Sequence, residues 1–159
     1  MSVLSSIFRN LLGKPGATDF RDSAEHFVQV MREHGIALTW SREELRFVDA
    51  LVERLGGHNE YRDAVGSWLG EIFVRAFDGE WVPAHALGPA VRVKTADKGV
   101  RHLFPLGWVY RRADGGVAES IAARCSKELG YPADPLRLGS FSDSGERTWP
   151  TPDSSSAKH

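Results

Sequence analysis

Glu71 and Arg75 stand four residues apart in Ser67-Trp68-Leu69-Gly70-Glu71-Ile72-Phe73-Val74-Arg75. In that order and spacing a carboxylate and a guanidinium meet on one helix face. A carboxylate held there can act as a general base or anchor a ligand; its competing role is a structural pair or a solvated stripe. His85 and His102 could join Glu71 at a catalytic or metal centre. A zinc-type metal needs three or four convergent ligands, and the spacing of these residues does not require convergence, so neither a metal nor a cofactor is expected. From Arg92 to Arg112 there are six basic residues, Arg92, Lys94, Lys98, Arg101, Arg111 and Arg112, against the single acidic Asp97. Residues 41–63 instead carry six acidic and four basic side chains, so the chain reads as bipolar. A basic strand face with Trp81, Trp108 and Tyr110 nearby suits an acidic protein, RNA or a phosphate-bearing ligand. The competing role is an ordinary sheet edge on which Lys and Arg discourage pairing with other chains. The candidate binding residues are therefore Glu71, Arg75, Trp81, Arg92, Lys94, Arg101 and His102, and no catalytic residue is assigned. Cys125 falls on an apolar line with Val117, Ile121, Ala122 and Leu129, which reads as a buried small hydrophobe.

Helices and a short sheet must position these groups. Phe20, Ala24, Phe27, Val28 and Met31 recur at helical period over residues 19–34, and Gly35 ends the pattern. Ser41 to Glu44 forms a capping box, with Trp40 and Leu45 placed as a hydrophobic staple. The helix it opens turns Leu45, Val48, Leu51, Val52 and Leu55 inward and stops at Gly56-Gly57. The helix over residues 60–77 is apolar around most of its circumference, which marks it as central. Its one polar line is Ser67, Glu71 and Arg75. Gly66 and Gly70 lie one turn apart there and predict the close approach of another backbone. The Asp78-Gly79 turn leads to strand candidates at Trp81-Val82, Ala90 to Lys94 and Val100 to Phe104, the last two joined by a hairpin loop over residues 96–99. Helices follow at Pro105 to Arg112 and Val117 to Leu129, the second closed by Gly130.

The chain has 159 residues, of which 42% are hydrophobic, enough for one core and short for two. Residues 1–18 read as an amphipathic helix and linker, 19–138 as a single α+β domain and 139–159 as a disordered tail too poor in large apolar groups to order itself. In the first segment Val3, Leu4, Ile7, Phe8, Leu11 and Leu12 form one stripe. A helix this short needs a surface, and docking on the domain or on a partner ranks above a membrane because only Arg9 and Lys14 are basic there. The net charge of −1 supplies no global field for nucleic acid, so a protein partner is preferred to RNA. One cysteine allows no intramolecular disulfide. No secretory signal or transmembrane span is seen, which places the protein in the cytoplasm.

Leu69-Gly70-Glu71, Gly79-Glu80-Trp81-Val82, Gly88-Pro89-Ala90-Val91-Arg92, Phe104-Pro105-Leu106, Trp108 and Arg111-Arg112 before Asp114-Gly115 together resemble small bacterial domain families. Their pattern is a Leu-Gly-Glu helix, a Gly-x-Trp turn, a short sheet and a Phe-Pro-Leu helix start. The resemblance spans about residues 42–129, departs from the pattern at Ala76-Phe77-Asp78, and excludes both termini. It implies a compact bacterial α+β domain and transfers no activity and no catalytic residue.

The fold expected is α+β: N-terminal helices, an antiparallel sheet of about three strands and a closing C-terminal helix. The leading functional expectation is a bacterial cytoplasmic interaction or binding module of the immunity or adaptor kind. The alternative is a small hydrolase-like enzyme using Glu71 with a histidine, so whether the protein is an enzyme stays open at this point.

Overall fold

The computed structural model describes residues 16–95 and 99–131. The helix expected over residues 3–12, most of the 96–99 hairpin loop and the tail beyond 139 lie outside these residues. The described residues form five α-helices and a three-stranded antiparallel sheet, with the last helix closing the fold. Helix α1 (Ala17–Glu33) buries Phe20, Ala24, Phe27, Val28 and Met31 on one stripe. At its end the Ile36 and Gly35 amides donate to the Met31 and Arg32 carbonyls at 3.0 and 2.9 Å, with Gly35 at a φ of +86°. This paired arrangement satisfies carbonyls that the helix leaves open.

The second helical segment begins differently from expectation. Ser41 makes no side-chain cap, and the chain first winds a 3₁₀ turn over Arg42–Phe47 before α2 (Val48–Leu55). Glu44 supplies the other half of the expected box, accepting from the Ser41 backbone, and accepts as well from the Thr39 amide (2.5 Å), the Thr39 hydroxyl (2.9 Å) and the Trp40 amide (3.1 Å). Those bonds anchor Trp40, which takes a φ of +63°, a conformation costly for a bulky residue.

Helix α3 (Asn59–Ala76) is the centre of the fold, buried without a break from Ala64 to Phe73. α1 and α4 (Pro105–Gly115) pack along it. The two glycines do different things. A Cβ on Gly66 would stand 2.9 Å from the Leu106 Cα, the expected backbone approach. A Cβ on Gly70 would stand 2.2 Å from the Trp81 ring, so an indole, and not a backbone, fills that notch.

Asp78 takes a φ of +57°, and the Gly79 amide returns to the Phe73 and Val74 carbonyls at 3.0 and 3.1 Å. The chain then enters β1 (Glu80–Val82), β2 (Ala90–Thr95) and β3 (Gly99–Leu103), in that spatial order. Trp81, Val91 and Leu103 align across the sheet on the core face, while Glu80, Arg92 and His102 align on the outer face. A strand alternates its faces residue by residue, so Arg101, opposite Val93, shares the core side and not the face of Arg92 and Lys94.

The last helical segment is broken. A 3₁₀ turn (Gly116–Glu119) precedes α5 (Ile121–Leu129), whose first turn is capped by Ser120 accepting from the Ala123 amide at 3.1 Å. Val117 is consequently 75% exposed and leaves the apolar line on which Cys125, Ile121 and Ala122 are buried.

Candidate functional site

Glu71 is buried, and each carboxylate oxygen has a partner: Oε2 accepts from the Trp81 indole Nε1 and Oε1 from Arg75 Nε, both at 2.8 Å. The Arg75 guanidinium donates to Glu25 on α1 at 2.8 Å and lies 4.0 Å over the Trp40 ring. Ser67, on the same line, is also buried and donates to the Asp63 carbonyl. The expected polar stripe is therefore a clamp joining α1, α3 and β1, buried at Glu71 and exposed at Glu25. A general base needs a lone pair directed at a substrate proton, and Glu71 spends its oxygens within the core.

Trp81 is set by the same clamp. It faces the core, stacks on Phe20 with ring centroids 4.5 Å apart, and is 9% exposed. The other aromatics expected beside the basic residues are buried or half-buried. Trp108 is buried, and Tyr110 donates to Asp63 at 2.8 Å. Burial raises the Asp63 carboxyl above its ordinary range; burial and then the Asp63 bond push the Tyr110 phenol up.

The basic residues divide between two clefts. The first, about 590 Å³, lies between the end of α3, the Asp78-Gly79 turn and β2, and collects Arg42, Arg75, Arg92 and Lys94 against Asp78 and Glu80. β1 is short and pairs only as far as Arg92, and Val93 and Lys94 beyond it line this cleft. Arg42 donates to the Ala76 carbonyl at 2.9 Å and lies 4.3 Å over Phe77, where a cation offsets the negative end of the helix dipole. Arg92 pairs with Glu80 at 3.0 Å, an exposed pair of small stabilising value. Lys94 has no ion pair among the described residues. Arg42 and Trp40 were not singled out from sequence as part of this site; the pair sits at the start of the 3₁₀ turn, and only the positive φ at Trp40 aims the ring at Arg75.

The second cleft, about 580 Å³, lies beside β3 and holds Arg101, His102, Arg111 and Arg124 with Phe104 and Trp108. Arg101 approaches Glu128 of α5 at 3.7 Å. His102 and His85 face each other with ring centroids 5.1 Å apart, and Phe104 lies 5.1 Å from His85. Among the described residues no group of three or more His, Cys, Asp and Glu side chains is placed to hold a metal. Arg112 belongs to neither cleft: it is buried against Asp49 and Glu53 at 3.0 and 3.1 Å. Lys98 lies outside the described residues. Cys125 is buried, and burial followed by the nearby Asp49 charge pushes its thiol up, opposite to what a nucleophilic cysteine needs.

No helix among the described residues is long and apolar enough to cross a membrane. Comparison with known protein families, with curated proteins and with solved structures finds no match for this chain, so the family resemblance rests on its motifs alone.

Proposed function

We propose that the protein is a bacterial cytoplasmic interaction module of the adaptor or immunity kind that binds an acidic protein surface at the cleft between α3 and β2. The observation that carries this reading is the convergence of Arg42, Arg75, Arg92 and Lys94, drawn from separate segments, on one cleft with two carboxylates. Charge arranged this way steers association and selects partners more than it adds raw affinity. Arg75 is held by Glu71, Glu25 and Trp40 and shapes the cleft wall, while Arg42 and Lys94 have no carboxylate partner among the described residues and leave their charge to an incoming group. A protein surface suits the cleft better than nucleic acid does, because base stacking needs free aromatic faces, and Trp81 and Trp108 are buried while Phe77 and Trp40 already carry Arg42 and Arg75 on theirs. The alternative, a small hydrolase using Glu71 with a histidine, is weaker because both Glu71 oxygens are bonded within the core.

The test is affinity capture from the source bacterium with the native chain and with Arg42→Glu/Lys94→Glu. Retention of the same captured proteins by the reversed variant, shown to be folded by its thermal midpoint, refutes the cleft as the binding surface. The reading expects their loss, and a weaker yield from the native chain as salt increases.

A further inference from the structure

The second cleft has a different construction and implies a different mode of recognition. β3 is an edge of the sheet and, among the described residues, pairs with β2 alone. An open edge offers unpaired amide and carbonyl groups to another extended chain. Beside it lie Trp108 and Phe104, with Leu87 and Val100 on the rim. Leu87 and Val100 are 78% and 48% exposed; apart from Val117, they are the exposed large apolar side chains among the described residues. Leu87 is fixed in place, since its amide donates to His85 Nδ1 at 3.0 Å.

The charges in the cleft are mostly of one sign, Arg101, Arg111 and Arg124 against Glu128. Among the described residues the buried Nε atoms of Arg101 and Arg124 have no hydrogen-bond partner, while their terminal nitrogens face Glu128 (3.7 Å) and Glu119. Unsatisfied buried donors are uncommon in folded proteins, and an incoming carboxylate can satisfy guanidinium donors strongly.

We propose that this cleft receives an extended, acidic segment of a partner protein as a fourth strand along β3. Backbone bonds to the strand edge supply affinity, and alternate side chains supply selection. The register sets the pattern. A residue opposite Arg101 points to the side of Arg101 and Arg124, so it is Asp or Glu. Residues opposite Val100 and His102 point to the outer face, where Val100 and Leu87 favour apolar groups. The segment therefore reads apolar, acidic, apolar. A second copy of β3 fits poorly, because antiparallel pairing centred on this strand sets Arg101 against Arg101, and like charges directly opposite are unfavourable. The basic edge thus discourages neutral strands and self-pairing while admitting an acidic one.

The probe is a blocked peptide, acetyl-Ser-Thr-Val-Glu-Val-Glu-Val-Thr-Ser-amide, titrated into the full-length protein and followed by amide and indole NMR signals. Binding is expected to shift the Gly99 to Leu103 amides and the Trp108 indole, and to slow amide exchange along β3. The same peptide with Lys in place of Glu should bind at least about tenfold more weakly. Arg101→Gln, a change at a partly exposed side chain, should weaken the Glu peptide with little change in thermal midpoint. Absence of β3 shifts at millimolar peptide overturns the proposal, as does equal binding of the Lys peptide. Shifts confined to Arg92 and Lys94 also overturn it while leaving the first cleft standing. A concentration-dependent dimer with β3 amides protected before any peptide is added assigns the edge to self-association and overturns it too.

Discussion

Arg112 Nε donates to Asp49 Oδ1 at 3.0 Å, joining α4 to α2 across a contact that buries both side chains. The same carboxylate accepts from the Ile121 amide (2.8 Å), the Ala122 amide (3.1 Å) and the Ser120 hydroxyl (3.0 Å). Asp49 thereby satisfies amides at the start of α5, where a helix leaves donors open and favours negative charge. One acidic side chain from α2 thus fixes the position of the closing helix, and Glu53 takes a second Arg112 nitrogen at 3.1 Å.

Removing Arg112 leaves the buried Asp49 charge without its cation, and removing Asp49 leaves Arg112 with Glu53 alone and takes the acceptor from the Ile121 and Ala122 amides. Asp49→Ala is expected to cost about 3–5 kcal/mol, and Arg112→Ala a comparable amount. Urea denaturation measures both; a loss below about 1 kcal/mol for Asp49→Ala would show that the network carries little of the fold's stability.

Gly70→Ala places a methyl group within the Trp81 ring, 2.2 Å from its nearest atom. Forcing the indole aside should cost about 1–3 kcal/mol, and Gly70→Leu at least as much. Gly57 is the control: nothing lies within 4 Å of a Cβ built there, so Gly57→Ala should change stability by no more than about 0.5 kcal/mol. Equal urea midpoints for the Gly57 and Gly70 variants would contradict the packing of Trp81 against α3.

The elements whose burial follows from a period were legible in the sequence. The α1 stripe from Phe20 to Met31, the continuously buried α3 and the alternation of Val91 and Val93 with Arg92 and Lys94 all appear where the pattern puts them. Local interruptions were harder to read, because they depend on distant partners. Ser120 breaks the last helix, and the Asp49 that secures the restarted helix lies 71 residues away. The same limit applied to the site. Strand alternation alone puts Arg101 and Arg92 on opposite faces once the register is known, but the pattern of apolar residues did not give that register. Helical spacing joined Glu71 to Arg75, yet it held no sign of the Trp81 indole that takes the other oxygen. The basic residues were found by type, and their division into two clefts was not.

Stability should respond to pH through Glu44 and Asp63. Burial raises both carboxyls above their ordinary values of 4.5 and 3.8, with hydrogen bonds opposing the rise. A folded-state value above the unfolded one means that the native state binds the proton more tightly. The contribution of these groups is then fully present below the unfolded value and is lost as pH rises through the folded one. Asp63→Asn keeps an acceptor for Tyr110 and removes the titration, so it should flatten part of the stability loss on going from about pH 4 to pH 7. Thermal midpoints over that range check the sign, and an unchanged slope in the variant would remove Asp63 as a contributor.

Glu71 separates a structural clamp from a catalytic carboxylate by how much of the side chain must remain. Glu71→Gln retains a carbonyl that can accept from Trp81 Nε1, and Arg75 keeps Glu25 and the Trp40 ring. Its cost should therefore be about 1 kcal/mol, the scale of one hydrogen bond. Glu71→Ala removes both acceptors and leaves the largely buried indole N–H without a partner, a further penalty of about 1–3 kcal/mol. Tryptophan emission should shift toward the red in the Ala variant and stay near the native position in the Gln variant, as water reaches Trp81 only in the former. Urea midpoints ordered native, Gln, Ala, together with that emission pattern, are the result the clamp requires. Two variants equal in stability to the native chain would free Glu71 from the structural role and return it to the list of candidate bases.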